Sequence, residues 1–102
     1  MTGLNQAQDV SPNGGVGTTP MLLVAAQENR KILIIQNVSL VNMGISLSGD
    51  TPAVTVGGLG GIGTLVLPPG GGLVLEGEKI PANAINVVAA SGSANPITVI
   101  QW

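Results

Sequence analysis

Five carboxylates are the side chains of this sequence most able to do chemistry: Asp9, Glu28, Asp50, Glu76 and Glu78. Two carboxylates act as general acid and base when they face one cleft and apolar surroundings raise one pKa. Glu76 and Glu78 could share a face of an extended segment, but Gly77 between them and Lys79 beside them indicate a solvated turn. We therefore expect no catalytic residues and no enzyme activity.

Residue types that are missing exclude further chemistry. The chain has no Cys and no His, which removes thiol nucleophiles, zinc sites, the commonest general base and any disulfide. We expect no metal and no cofactor. With three basic residues and a net charge of −2, the chain also lacks the electrostatic pattern of a nucleic-acid-binding protein.

A glycine-rich motif, Gly58-Leu59-Gly60-Gly61-Ile62-Gly63, satisfies the G-x-G-x-x-G pattern of dinucleotide sites. That function requires a helix to begin at the motif, so that its N-terminal amides hold the pyrophosphate. A short apolar run and two prolines, Pro68 and Pro69, follow instead. We interpret the motif as a surface loop.

The triplet Asn37-Val38-Ser39 matches a glycosylation sequon. It follows an apolar run, and no secretion signal precedes it. Asn and Ser side chains bond local backbone groups at such positions, so we interpret the triplet as a boundary between a strand and a turn.

Short apolar runs separated by Gly, Pro, Asn and Ser indicate β-strands after Pro20. No helical period persists for ten residues. The predicted strands are Met21–Ala25, Lys31–Val38, Asn42–Leu47, Val54–Val56, Thr64–Leu67, Leu73–Glu76, Ala84–Ala89 and Ile97–Trp102. This number of short strands predicts an all-β fold, a single antiparallel β-sandwich or jelly-roll-like domain.

The first twenty residues are predicted to form an extended N-terminal arm, residues 1–20, ahead of a β-sandwich domain, residues 21–102. Met1–Val10 lacks the basic and apolar regions of a signal peptide, and no window is long and apolar enough for a membrane helix. Ser11–Pro20 is rich in Pro, Gly and Thr, which is typical of extended chain. We expect this arm to dock on its own domain or on a neighbour.

The chain is 44% hydrophobic but only 8% charged, whereas a small soluble domain carries roughly 25–35% charged residues on its surface. Sheets with one wet face alternate apolar and polar residues. Here Ile32–Ile35, Leu65–Leu67 and Leu73–Leu75 are unbroken apolar runs. We infer that other protein surface covers both faces of some strands.

Candidate interface residues follow from these patterns, and they are Pro12, Val16, Pro20, Glu28, Arg30, Lys31 and Trp102. Glu28, Arg30 and Lys31 form either a solvated hairpin tip or a polar contact with a partner, since Arg pairs specifically with carboxylates. Trp102, the only aromatic residue, either fills the core or anchors an interface.

The sequence resembles small bacteriophage virion β-domains of the capsid decoration (cement) protein type. The resemblance covers about Asn29 to Trp102. It rests on Asn29-Arg30-Lys31-Ile32-Leu33-Ile34-Ile35-Gln36-Asn37-Val38-Ser39, Leu67-Pro68-Pro69-Gly70-Gly71, Glu76, Pro81-Ala82-Asn83-Ala84-Ile85-Asn86-Val87-Val88 and Val99-Ile100-Gln101-Trp102. The resemblance implies a sandwich or jelly roll that assembles as a homotrimer on the outer surface of the viral head.

The expected function is that of a structural virion protein that stabilises the head shell by bridging major capsid protein subunits. A phage head-fibre, spike or tail component that binds a host receptor is the alternative, although a single Trp and no Tyr count against a glycan site. A cellular interaction module or a surface-layer protein is a third possibility. We expect no nucleic-acid or membrane partner.

Overall fold

Ten β-strands make up the regular structure of the described part of the chain. The computed structural model describes residues 7–27, 30–52, 54, 60–77 and 80–102. The strands are β1 (Gln8–Asp9), β2 (Val16–Gly17), β3 (Met21–Val24), β4 (Ile32–Asn37), β5 (Met43–Ser46), β6 (Leu65–Leu67), β7 (Gly72–Glu76), β8 (Ile85–Ala89), β9 (Ser93–Asn95) and β10 (Ile97–Gln101). No α-helix occurs in these ranges, so the predicted all-β class is confirmed.

The strands form two four-stranded sheets and one small sheet. Sheet 1 has the order β1-β10-β4-β7, and sheet 2 has the order β3-β8-β5-β6. Strands β2 and β9 pair by themselves. Every neighbouring pair of strands is antiparallel.

Seven of the eight predicted strands correspond to observed ones, within a residue or two at their ends. The eighth, Val54–Val56, lies outside the described residues except for Val54, which forms an isolated bridge with Gly60. Strands β1, β2 and β9 were not predicted. They are two or three residues long and carry Gln, Asp, Gly, Ser and Asn, so nothing local marks them as strands.

Alternating inward residues of both sheets form one apolar core. On β4, Leu33 and Ile35 have no exposed surface, while the alternate residues Ile32 and Ile34 are half-buried. Sheet 2 contributes fully buried residues such as Ile45 to the same cluster. The period of two along each strand therefore places one side of each sheet in the core.

Asn37 ends β4 in a fully hydrogen-bonded buried position. Its Nδ2 donates to the carbonyl oxygens of Val41 (2.7 Å) and Leu67 (2.8 Å), and its Oδ1 accepts from the Ser39 amide (3.0 Å) and hydroxyl (2.6 Å). The Leu67 bond joins the end of β4 in sheet 1 to β6 in sheet 2. Because Asn37 is 0% exposed, its side chain has no room for a glycan.

Residues 7–20 contact the rest of the domain. The Val10 amide donates to the Val99 carbonyl oxygen (2.9 Å), and the Val99 amide donates to Ser11 Oγ (2.8 Å). Val16 is fully buried in the core, and Asn95 Nδ2 donates to its carbonyl oxygen (2.8 Å). The sequence left open whether the arm docks on its own domain or on a neighbour. Residues 7–20 of the arm dock on their own domain.

We expect Gly15→Ala to detach this segment. Gly15 has φ of +73°, and a Cβ there would lie 2.5 Å from the Ala94 carbonyl carbon. The left-handed backbone strain of alanine and this overlap together should lower the stability of the segment by about 2 kcal/mol or more. The overlap can be relieved only if Gly15 and Ala94 move apart, which breaks the β2–β9 pair. Amide exchange across residues 7–20 should accelerate at least tenfold.

Gly14→Ala is the matched control, because a Cβ at Gly14 meets nothing within 4 Å. This variant should retain wild-type exchange across the same residues. Equal exchange rates in the two variants would show that the Gly15 contact does not hold the segment in place.

Candidate interaction surface

Arg30 lies on the β3–β4 connection and bonds it to the β7–β8 connection. It is 7% exposed, and its guanidinium donates to the carbonyl oxygens of Pro81 (3.1 Å) and Ala25. Its Nε is buried without a hydrogen-bond partner. Burial lowers the pKa of Arg30 from its ordinary value, yet an arginine in a protein stays protonated. Arg30 is therefore neither a solvated hairpin tip nor an exposed interface side chain in this chain.

Trp102 forms backbone hydrogen bonds with the residues that directly follow Arg30. Its oxygen accepts from the amides of Lys31 (2.6 Å) and Ile32 (2.8 Å), and its own amide donates to the Ile32 oxygen (3.1 Å). The Trp102 side chain is half-buried and does not belong to the core cluster, while the Lys31 side chain is exposed. Glu28, which was predicted beside them, lies outside the described residues.

The three candidates from the N-terminal segment differ in what they expose. Val16 has no exposed surface, so its side chain offers no area to a partner. Pro12 is half-buried and Pro20 is exposed. Pro20 lines an open pocket of about 170 Å³ with Met21, Leu22, Thr51, Pro52 and Asn86. The structure thus does not gather the predicted interface residues into one surface.

The outer side of sheet 2 is covered by the chain's own β5–β6 connection. Asn86, which points outward from β8, donates through Nδ2 to the carbonyl oxygens of Gly49 and Asp50 (both 3.1 Å). Pro52 in this connection is fully buried, and so is Ser46 on β5. The connection covers the middle of this side, whereas Leu22, opposite Asn86 on β3, remains 52% exposed.

The outer side of sheet 1 carries an apolar row formed by Ile100, Ile34 and Val74. Register pairs Ile34 with Ile100 on one side and with Val74 on the other, and Leu33 and Ile35 on either side of Ile34 point into the core. Val74 is 62% exposed. Side chains directly opposite one another on a sheet face are close enough to touch, so the row is a continuous apolar stripe.

Two carboxylates flank this apolar row. Asp9 on β1 pairs with Ile100, so it lies at the end of the row that is opposite to Val74. Glu76 lies two residues beyond Val74 on the same face of β7. Hydrogen bonds from the Ser11 side chain and backbone lower the pKa of Asp9, so its carboxylate stays ionised further into acid than usual. The apolar row therefore has a carboxylate at its β1 end and a second carboxylate beside Val74, in the neighbouring register row.

The other motifs acquire no chemical function from the fold. Gly60–Gly63, the described part of the glycine-rich motif, forms a turn, and β6 follows at Leu65, so no helix N-terminus faces it. Across the described ranges, no three His, Cys, Asp or Glu side chains lie together where they could hold a metal ion. Within those ranges there is also no helix with the length and hydropathy to span a membrane.

Comparison of the chain with known protein families, with curated proteins and with solved structures finds no match. The class of this protein is therefore the one that the strands define, an all-β domain with antiparallel sheets. Its candidate site is an interaction surface on sheet 1.

Sequence reasoning about single residues missed Val74, Ile34 and Ile100. The signal for two of them was present in the unbroken runs Ile32–Ile35 and Leu73–Leu75, which indicated strands covered on both faces. Only the register shows that the outward members of these runs lie opposite each other.

Proposed function

We propose that this chain is a structural virion protein, a capsid decoration (cement) protein with a jelly-roll β-sandwich. On this proposal it binds the outer surface of the viral head and stabilises the shell by bridging neighbouring major capsid protein subunits. It performs no reaction and needs no cofactor.

The strand order is the observation that carries the proposal. If β2 and β9 are left aside, the remaining eight strands are ordered 1-8-3-6 in sheet 1 and 2-7-4-5 in sheet 2 when they are renumbered along the chain. This is the order that two interleaved Greek keys produce in a jelly roll, an architecture that recurs in viral capsid proteins. Fold alone does not define a role, and the resemblance of Asn29–Trp102 to decoration proteins supplies it.

The surface chemistry supports the same role. A chain with 8% charged residues and an exposed apolar row on sheet 1 is suited to contact with other protein. On a shell, one subunit is repeated at many equivalent sites. Contacts that are weak for each copy then add to strong retention of a subunit that bridges two neighbours.

The test is binding to head shells that lack this protein, prepared from the capsid protein encoded in the same genome. We expect the purified chain to sediment with these shells, at a copy number that matches the sites of the capsid lattice. Shells saturated at a hundred times Kd should gain about 2.7 kcal/mol per occupied site against disassembly, because only the intact shell binds. Shells of an unrelated capsid protein are the control.

Two results would contradict the proposal. Absence of co-sedimentation with the matching shells removes the decoration role altogether. A copy number of about a dozen or fewer per virion indicates a vertex or tail component instead, the receptor-binding alternative. The homotrimer that the resemblance implies stays a separate prediction. The mass of the purified protein in solution decides between it and the two-fold contact inferred below, because three chain masses support the trimer and two chain masses exclude it.

A further inference from the structure

Strand β7 is a sheet edge with little of the usual protection against pairing. Of the four edge strands of the two larger sheets, β1 has two residues, β6 has three, and β3 has an irregular register between Leu22 and Val24. Strand β7 is five residues long and pairs regularly with β4, its one strand partner among the described residues. Natural edges are shortened, bulged or charged to prevent association. Strand β7 has no bulge or proline, and its one charge is Glu76 at its last position.

The hydrogen-bond pattern shows which backbone groups of β7 face outward. The Asn37 amide donates to the Gly71 oxygen (2.9 Å), and the Gly77 amide donates to the Lys31 oxygen (3.1 Å). In an antiparallel ladder, alternate residues direct their amide and carbonyl groups to the same neighbour. Leu73 and Leu75 therefore bond to β4. The groups of the other three residues point to the open edge, and these are Gly72, Val74 and Glu76.

We propose that β7 pairs with β7 of a second copy of this chain, antiparallel, about a two-fold axis through Val74. In this register, Val74 lies opposite Val74 of the other copy, and Gly72 lies opposite Glu76. All three outward-facing residues then exchange backbone hydrogen bonds with the partner strand. The two copies of sheet 1 become one continuous eight-stranded sheet.

In this register, the side chains of β7 in one copy are complementary to those of β7 in the other copy. Glu76 faces a glycine, so no carboxylate meets another, whereas a two-fold axis through Glu76 would place two carboxylates opposite each other. Leu73 lies opposite Leu75 on the core side, where both are only half-buried in one copy. Val74, 62% exposed, extends the apolar row directly into the row of the second copy.

A second copy fits this edge better than an unrelated strand does, because the same five residues supply matching backbone groups and side chains on both sides of the contact. A self-complementary contact of this kind closes with two subunits, which is the commonest symmetry of soluble oligomers. The inference does not depend on capsid binding. It is tested on the purified protein alone, so its failure and the failure of the decoration role are separate results.

The first experiment measures mass in solution by light scattering at high micromolar concentration. We expect about twice the 10.1 kDa chain mass. Val74→Lys should weaken dimerisation at least tenfold, because it places two ammonium groups opposite each other. Leu40→Lys is the matched control, since Leu40 is 93% exposed and belongs to the β4–β5 connection and not to β7, and this variant should remain dimeric.

The second experiment uses single cysteines in a chain that has none. Val74→Cys should be cross-linked to itself by a short bismaleimide, because only a two-fold contact brings the same residue of two copies together. Leu40→Cys should not be cross-linked. In the wild type, exchange of the Val74 amide should slow at least tenfold as concentration rises, a readout that needs no substitution.

Three results would overturn this inference. The first is a single-chain mass with fast exchange of the Val74 amide at every concentration. The second is a three-chain mass without cross-linking of Val74→Cys, which indicates a trimer built through another surface. The third is protection of the Val74 amide only when head shells are added, which assigns the edge to the capsid protein instead.

Discussion

Replacing Asn37 by alanine is expected to lower the free energy of unfolding by about 3 kcal/mol, because buried hydrogen-bonding groups lose their partners. The Leu67 carbonyl oxygen and the Ser39 amide both bond to the Asn37 side chain in the native protein, and Val41 loses one of its two donors. A domain of this size has a total stability of about 5–15 kcal/mol, so the loss is a large share of it. Chemical denaturation followed by the fluorescence of Trp102, the single tryptophan, measures it.

Asn37→Asp should destabilise the protein at least as much, although it is nearly isosteric. An aspartate oxygen in place of Nδ2 would face two carbonyl oxygens, those of Val41 and Leu67, at hydrogen-bonding distance. Burying the charge adds a further penalty. The order of the two variants therefore separates the role of the donor from that of side-chain volume.

Gln36→Ala is the control for both variants. Gln36 precedes Asn37 on β4 but is exposed, and the hydrogen bond of its side chain to the Gly70 oxygen (3.3 Å) lies at the surface. We expect it to change stability by less than about 1 kcal/mol. If Asn37→Ala and Gln36→Ala were equally stable, the buried network would not be what joins the β4–β5 turn to β6.

Arg30→Ala is expected to cost about 3 kcal/mol, the second largest effect. The guanidinium joins the β3–β4 connection at Ala25 to the β7–β8 connection at Pro81, and hydrogen bonds to a charged group contribute about 1.5–3 kcal/mol each. The cost of desolvating Arg30, visible in its lowered pKa, offsets part of this gain. The same denaturation experiment on the isolated chain measures the net effect.

The Arg30 experiment distinguishes an internal role from a role in partner binding. Arg30→Lys should recover only part of the stability, because a single ammonium does not reproduce the planar fork that reaches both carbonyls. Lys31→Ala, at the neighbouring exposed side chain, should change stability by less than about 1 kcal/mol. An Arg30→Ala variant as stable as the wild type, yet defective in binding, would return Arg30 to the interface.

The strands were predictable from sequence because their signals are local. Runs such as Ile32–Ile35 and Ile97–Ile100 are rich in β-branched residues and are followed or preceded by turn residues, and these features act whatever the rest of the chain does. The pairing of β1 and β2 was not predictable. Gln8–Asp9 and Val16–Gly17 become strands because β10 and β9 offer them a ladder, a contact across more than 75 residues of chain.

The candidate surface depended on tertiary structure more than the strands did. From the sequence, Arg30 was predicted to contact a partner and Val16 to belong to an extended arm. In the folded domain both side chains are buried. Val74 belongs to an ordinary apolar run, and it becomes exposed because β7 lies at the edge of sheet 1. Burial and edge position are properties of sheet order, which no short stretch of sequence encodes.

By itself, the sequence determined the all-β class, the positions of seven strands, the absence of Cys and His, and the shortage of charge. Each of these is a property of composition or of neighbouring residues. Tertiary structure alone decided which side of each strand meets the core, which outer sheet surface the chain covers for itself, and which edge remains open. Those outcomes depend on register and strand order, because the same apolar residue is core or surface according to the strand that lies beside it.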